Sequence, residues 1–336
     1  MNMKNWFSKQ IEASEKKALP ILSFPAVSLM GITVKELISS SDLQAKGMQK
    51  VAERVPSAAC VSMMDLSVEA EAFGAAVRFS DDEVPTIIGT LITDEDDADT
   101  LTVPAVGAGR TGLYLDAIKK ARELITDRPI LAGVIGPFSL AGRLMDVSEA
   151  LANCIAEPDM VHTAMRKTTA FLIEYINAYK AAGANGVVMA EPLTGILSPA
   201  LAETFSEPYV RQIIEATQTD DFAVVYHNCG NNTIMMIDSI LRVGAAAYHF
   251  GNAIDMLEML AHIPGDVIAM GNIDPAGQLK SGTPASVYEN TRNLMAACCP
   301  KYPNFIISSG CDIPPSAPWA NIDAFFNAVR DYYAGA

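Results

Sequence analysis

Residues 223–230 read AVVYHNCG, a short apolar run that ends in His227 and, two positions on, Cys229. The run reads as a strand, and its polar end falls where a loop should start. Because the two side chains are two residues apart, an extended backbone points them to one side. Imidazole nitrogen and thiolate sulfur both suit zinc. A second run, FIISSGC at 305–311, ends in Cys311. Three protein ligands with one open position make a catalytic rather than a structural zinc site. The competing reading is that Cys311 is one more buried thiol.

Outward from this stretch the same alternation repeats. ALPILSF (18–24) reads as a first strand, AACVSMM (58–64) as a second, PILAGVI (129–135) as a third and GVVMAEP (186–192) as a fourth. FAVVYH, AAAYHF, DVIAMGNIDP and NFIISSGC follow as strands five to eight, and NIDAFFNAVRDYY (321–333) closes the ring as the last helix. Eight strands alternating with helices, with turn residues at each strand end, predict a (β/α)8 TIM barrel with N-terminal elaborations over residues 1–336, one domain. Active sites of such barrels gather at the C-terminal strand ends. That position strengthens the metal reading of His227, Cys229 and Cys311.

Other strand ends carry candidates too. Asp65 follows the second strand, either as a carboxylate with a task or as a cap for the helix after it. Glu191 ends the fourth strand, and Pro192 stops it. It reads as a metal or substrate ligand, a base, or a loop carboxylate bonded to backbone N–H groups. Gly136 and Ser139 lie in GPFSLAG, a tight turn into a helix whose N-terminus could face an anion or polar ligand. Arg143 is expected near that helix's first turn. Asn272 and Asp274 end the seventh strand and, with Gly136 and Ser139, are candidate cofactor contacts. His249 fits a structural histidine as well as a ligand. Thr33 can cap VKELI, and Ser41 or Asp42 the next helix. The stretch 199–216 reads as one helix.

Composition narrows the partners. Net charge is −15, with 24 Lys plus Arg against 39 Asp plus Glu, and no basic run, which argues against nucleic acid or an anionic membrane. No apolar stretch reaches about twenty residues, so no membrane span is expected. The N-terminus is polar, unlike a signal peptide. Six cysteines in 336 residues do not form a disulfide framework, and a cytoplasmic enzyme fits. Cys60, Cys154, Cys298 and Cys299 read as buried thiols. The acidic run DEDDAD (94–99) reads as a solvated face or helix cap. GAGRTG (107–112) spells GxGxxG but lacks the strand before it and the acid after the next strand, so a dinucleotide site is not expected.

The segments MDLSVEAEAFG, GPFSLAG, GVVMAEPLTGILSP, HNCGN, GNIDP and ISSGCDIPP resemble the uroporphyrinogen decarboxylase superfamily over nearly the whole chain. Within it, the H-x-C pair plus late Cys is most similar to the zinc-dependent corrinoid methyltransferases, the methylcobamide:coenzyme M methyltransferase branch. The resemblance implies a barrel with zinc held by His227, Cys229 and Cys311. It implies methyl transfer to a thiol from methylcobamide, a co-substrate supplied by a corrinoid protein partner, and it admits a homodimer. Asp65 is similar to the decarboxylase aspartate that would hold pyrrole N–H groups, but SFPAVSLMG (23–31) has no arginine where decarboxylases carry one. A demethylase that loads the corrinoid is the other alternative. A sulfonate-bearing acceptor would call for Arg110 or Arg143.

Overall fold

The computed structural model describes residues 1–335. Its strands are β1 (Cys60–Val61), β2 (Ala76–Arg78), β3 (Thr86–Ile88), β4 (Ile130–Ile135), β5 (Gly186–Ala190), β6 (Ala223–Asn228), β7 (Ala247–Phe250), β8 (Ile268–Ile273) and β9 (Phe305–Ser309). All but β2 and β3 form one parallel sheet, in the order β1-β4-β5-β6-β7-β8-β9. β2 and β3 make a separate antiparallel hairpin. Strand order follows chain order, as successive right-handed β-α-β crossovers require.

The expected first strand does not form a ladder. Residues 18–22 are extended and lie between the two sheet edges: Leu19 N–H donates to Ile307 O (3.1 Å), and Ala58 N–H to Ala18 O (2.8 Å). The chemistry of the segment explains the missing ladder. Pro20 has no N–H to give, and Ile21 N–H goes to the Ser309 hydroxyl (3.1 Å) rather than to a carbonyl. The ring of eight is thus seven strands and one extended segment.

The helices that matter below are α1 (Met3–Glu12), α2 (Val34–Ile38), α3 (Ser41–Arg54), α4 (Thr111–Leu124), α5 (Pro137–Met145), α6 (Pro158–Ala181), α7 (Pro199–Phe205), α8 (Glu207–Thr217), α9 (Pro284–Cys298) and α10 (Trp319–Tyr333). Thr33 caps α2 in a full capping box with Glu36. α3 is capped by Ser40, one residue before the expected Ser41, because Ser40 has the extended backbone a cap needs. The stretch expected as one helix from 199 breaks at Ser206 into α7 and α8, with Pro208 in the first turn of α8. Proline has no amide to continue the first helix's ladder. Asp94 caps the short acidic helix Glu95–Thr100, whose carboxylates are mostly exposed.

Alternation along the strands splits the core in two. Val188 and Ala190, Val225, Ala247, Met270 and Ile306 point into the barrel, while Val187 and Met189, Val224, Tyr226, Ala269 and Ile307 face the helices. Met3 and Phe7 of α1 join the inner cluster. The helix is tied there by Met3 and Lys4 N–H to Asp220 O, just before β6, so the N-terminal elaboration closes the bottom of the barrel. Each large side chain buried this way contributes about 1.5–3 kcal/mol.

Candidate metal centre

The inward phase of each strand decides what reaches the barrel mouth. Val225 points inward, so His227, two residues on, does too, and Cys229 follows in the loop. His227 is 1% exposed, and both cysteines are half-buried. The nitrogen of His227 and the two sulfurs lie within 4.8 Å of one another. Cys311 Sγ is 3.4 Å from His227 Nε2. Two vertices of a tetrahedron with ordinary Zn–S and Zn–N bonds sit about 3.5 Å apart, so the donor set fits zinc in type and spacing.

Local structure holds Cys229 in place. Asn228 Oδ1 accepts from Gly230 N–H (3.0 Å) and from Thr233 Oγ1 (2.8 Å), which bends the chain at the cysteine. A Cβ on Gly251 would lie 2.4 Å from Cys229 Cβ, so only glycine leaves room at the end of β7. The neighbouring Cys311 thiol lowers the Cys229 pKa, while Cys229 and burial push Cys311 up to about 12, so Cys229 is the first of the two to ionise. The three donor atoms are preassembled by their spacing.

Glu191 lies elsewhere. Val188 and Ala190 face inward, so Glu191 falls on the outward phase, toward the start of α5. Its carboxylate is wholly buried and accepts from Phe138 N–H (3.1 Å) and Ser139 N–H (2.6 Å), two free amides of the first turn. It contributes no atom to the His227–Cys229–Cys311 group. Burial pushes its pKa up to about 7 against the pull of the Ser139 and Phe138 hydrogen bonds. Gly136 is glycine for the same contact, since a Cβ there would meet Glu191 Oε2 at 2.2 Å. Ser139 Oγ accepts from Leu193 N–H (3.1 Å), tying the loop after β5 to α5. The anion at this helix N-terminus is the protein's own.

Asn272 and Asp274 also serve backbone. Asn272 Nδ2 donates to Gly251 O (3.0 Å) and Ile254 O (2.9 Å). Asp274 Oδ1 accepts from Ala276 and Gly277 N–H, at 2.9 and 2.8 Å.

Asp65 anchors a second polar cluster. Its Oδ1 accepts from Ser67 N–H (3.1 Å) and Ser67 Oγ (2.6 Å), and its Oδ2 from Arg110 Nη1 (2.5 Å) and Tyr114 Oη (2.8 Å). Arg110 also reaches Glu71 Oε2 at 2.6 Å. Burial opposes the Arg110 charge, but Asp65 and Glu71 hold its pKa above the ordinary value. The glycine-rich segment 107–112 thus folds back on Asp65 and opens α4 at Thr111. Glu69 nearby accepts from Ile135 N–H (3.0 Å), and burial pushes its pKa up to about 7. Arg143 lies in the last turn of α5, not the first, because the helix starts at Pro137. Burial lowers its pKa, while Glu69 and Asp65 support the charge.

Sequence reading did not single out Asp312 or Ser308. Asp312 follows Cys311, its Oδ1 is buried without a partner among the described residues, and burial lifts its pKa well above the carboxylate range. Ser308 lies on the inward phase with Ile306, two residues along β9. His249 meets His227, as strand register dictates: the two residues are partners across β6 and β7.

Comparison with known proteins bears on this constellation. The uroporphyrinogen decarboxylase (URO-D) family profile matches residues 22–332. The chain belongs to the uroporphyrinogen decarboxylase family. It is 27% identical over 274 residues to methylcobamide:CoM methyltransferase MtbA of Methanosarcina mazei, covering 80% of this chain and 78% of that protein. Uroporphyrinogen decarboxylases are similar too, that of Methylobacillus flagellatus being 26% identical over 310 residues, 88% of this chain and 84% of that one. Among solved structures, a methyltransferase from Methanosarcina mazei superposes with a TM-score of 0.86 at 21% identity over 99% of both chains. A B12-independent methionine synthase from Shewanella sp. W3-18-1 gives 0.63 at 12% identity, over 95% of this chain and 96% of that one. These structural likenesses show the TIM-barrel fold. No helix among the described residues is long and apolar enough to cross a membrane.

Proposed function

We propose that this member of the family is a zinc-dependent methyltransferase that moves a methyl group from protein-bound methylcobamide to a thiol. The observation that carries the proposal is the preassembled group of His227, Cys229 and Cys311 at the barrel mouth. The similarity to a methylcobamide:CoM methyltransferase supports it. When bound there, zinc favours the deprotonated form of an acceptor thiol, which near neutral pH is otherwise mostly protonated. Two cysteine thiolates and a neutral imidazole balance the dication, so the acceptor sulfur keeps the electron density a nucleophile needs. The transfer forms an S–C bond and breaks the Co–C bond, leaving its electron pair on cobalt.

The surroundings suit a docked partner. The loops after β5 and β6 are joined by Asn232 N–H to Gly195 O (3.0 Å) and by Asn232 Nδ2 to Leu197 O (3.1 Å). They expose two apolar side chains, Ile196 and Met235, 45% and 59% accessible, on the loops that follow Glu191 and Cys229. We assign Glu191 to positioning, since it fixes α5 while its own N–H holds His227 O at 2.9 Å. Arg110 is committed to Asp65 and Glu71, which leaves Arg143 as the cation for an acidic group on the acceptor.

The test is methylcobalamin consumption by purified protein with and without zinc, against thiols with and without a sulfonate. Zinc- and thiol-dependent loss of the methylcobalamin spectrum is expected. A zinc-loaded protein inert toward every thiol overturns the proposal.

A further inference from the structure

Four buried groups form one hydrogen-bonded line behind the candidate metal centre. His227 Nδ1 is 2.8 Å from His249 Nδ1. His249 Nε2 is 2.7 Å from Ser308 Oγ, and Ser308 Oγ is 2.8 Å from Leu19 O. His227 Nδ1 also lies 3.2 Å from the carbonyl of His249. Both histidines are 1% exposed and Ser308 is 0% exposed.

The direction of the line follows from its ends. A carbonyl oxygen can only accept. Leu19 O therefore takes the one proton of Ser308, so Ser308 Oγ must accept from His249 Nε2. A neutral ring protonated at Nε2 has a bare Nδ1, and that atom accepts from His227 Nδ1–H. The carbonyl of His249 makes the same demand on His227. Nε2 of His227 is then left with its lone pair toward Cys311 Sγ, 3.4 Å away.

We propose that His249 and Ser308 are positioning residues of the metal centre, holding His227 in the one tautomer that presents Nε2 to the ion. The inference rests on the reading of His227, Cys229 and Cys311 as a metal site. It assigns to a neutral imidazole the part that a carboxylate or carbonyl usually plays behind a ligating histidine. The segment 18–22, which joins the sheet edges, supplies the final acceptor, so closing the ring and orienting the ligand are one event.

The chain has four histidines, so metal-free protein labelled with 15N-histidine gives a spectrum simple enough to assign. His227 should carry its proton on Nδ1. His249→Leu and Ser308→Ala leave the weaker contact to the His249 carbonyl as the remaining hold on His227 Nδ1–H, so they should raise the minor His227 tautomer above its wild-type level and weaken zinc binding by about 10–100-fold, the range for such supporting contacts. His249→Asn, whose amide oxygen can accept in place of Nδ1, should keep the wild-type tautomer and most of the affinity. Should His249→Leu fail to fold, Ser308→Ala carries the test. A proton on Nε2 of wild-type His227, or undiminished zinc affinity in the folded variants, overturns the inference. Failure of the metal reading looks different: the wild type itself takes up no zinc.

Discussion

Replacing Cys311 with Ser removes one of three preassembled donors and little else. The thiol is half-buried and sits just past β9, so its loss should change the unliganded stability by no more than about 0.5 kcal/mol. Zinc binding should suffer far more. Apparent zinc free energies of about 10–16 kcal/mol are spread over four ligands, so one ligand accounts for roughly 3 kcal/mol, or about a hundredfold in affinity. Linkage gives a second readout. At a free zinc concentration about 100 times its dissociation constant, the wild type gains about 2.7 kcal/mol of stability, and a variant binding a hundredfold more weakly gains about 0.4 kcal/mol. Chelator competition and urea unfolding with and without zinc measure the two. Equal zinc content and equal stabilisation in Cys311→Ser would refute the assignment of Cys311 as a ligand.

Two further outcomes are expected. Glu69 is buried with its pKa raised from 4.5 to about 7, so the folded state holds that proton more tightly than the unfolded chain. Its contribution is intact below about pH 4.5 and lost as pH rises through about 7, some 3 kcal/mol in all. Glu69→Gln keeps the acceptor for Ile135 N–H and should flatten that part of the pH–stability curve, which urea titrations from pH 4.5 to 8 would show as a variant more stable than wild type only at the upper end. Met235→Asp, on the exposed loop after β6, should slow transfer from a methylated corrinoid protein while leaving turnover of free methylcobalamin unchanged; equal slowing with both donors would argue against a docking role.

The barrel was legible because strand runs and helical stretches alternate along the whole chain, and GVVMA, AVVYH and FIISS became β5, β6 and β9 with ends within a residue or two. What failed was local and physical. Residues 18–24 have the apolar content of a strand, but Pro20 and the Ser309 hydroxyl take away the ladder. In the site, spacing two apart placed His227 and Cys229 on one side, and that survived because both lie on or just past one strand. Glu191 shows the limit of strand-end position as a guide. One step of alternation turns it from the mouth to the α5 amides, and the phase is visible only once Val188 and Ala190 are known to face inward. The Asp65–Arg110 pair joins residues forty-five apart, a contact with no local signature.

That pair bears on the choice between the family's chemistries. An aspartate that is to receive pyrrole N–H groups must have lone pairs to offer. Asp65 has both oxygens engaged, each by two donors, with a guanidinium and a phenol on Oδ2 and the amide and hydroxyl of Ser67 on Oδ1. Freeing it would break a buried ion pair, a change costing about 3–5 kcal/mol when one partner is left uncompensated. The sulfurs of Cys229 and Cys311 are in the opposite condition: half-exposed, close together, and with His227 Nε2 beside them. Between Asp65 and the two sulfurs, the sulfurs are the groups free to act, which supports the proposed methyl transfer to a thiol, and an unsaturated Asp65 in a ligand-free crystal would reopen decarboxylation.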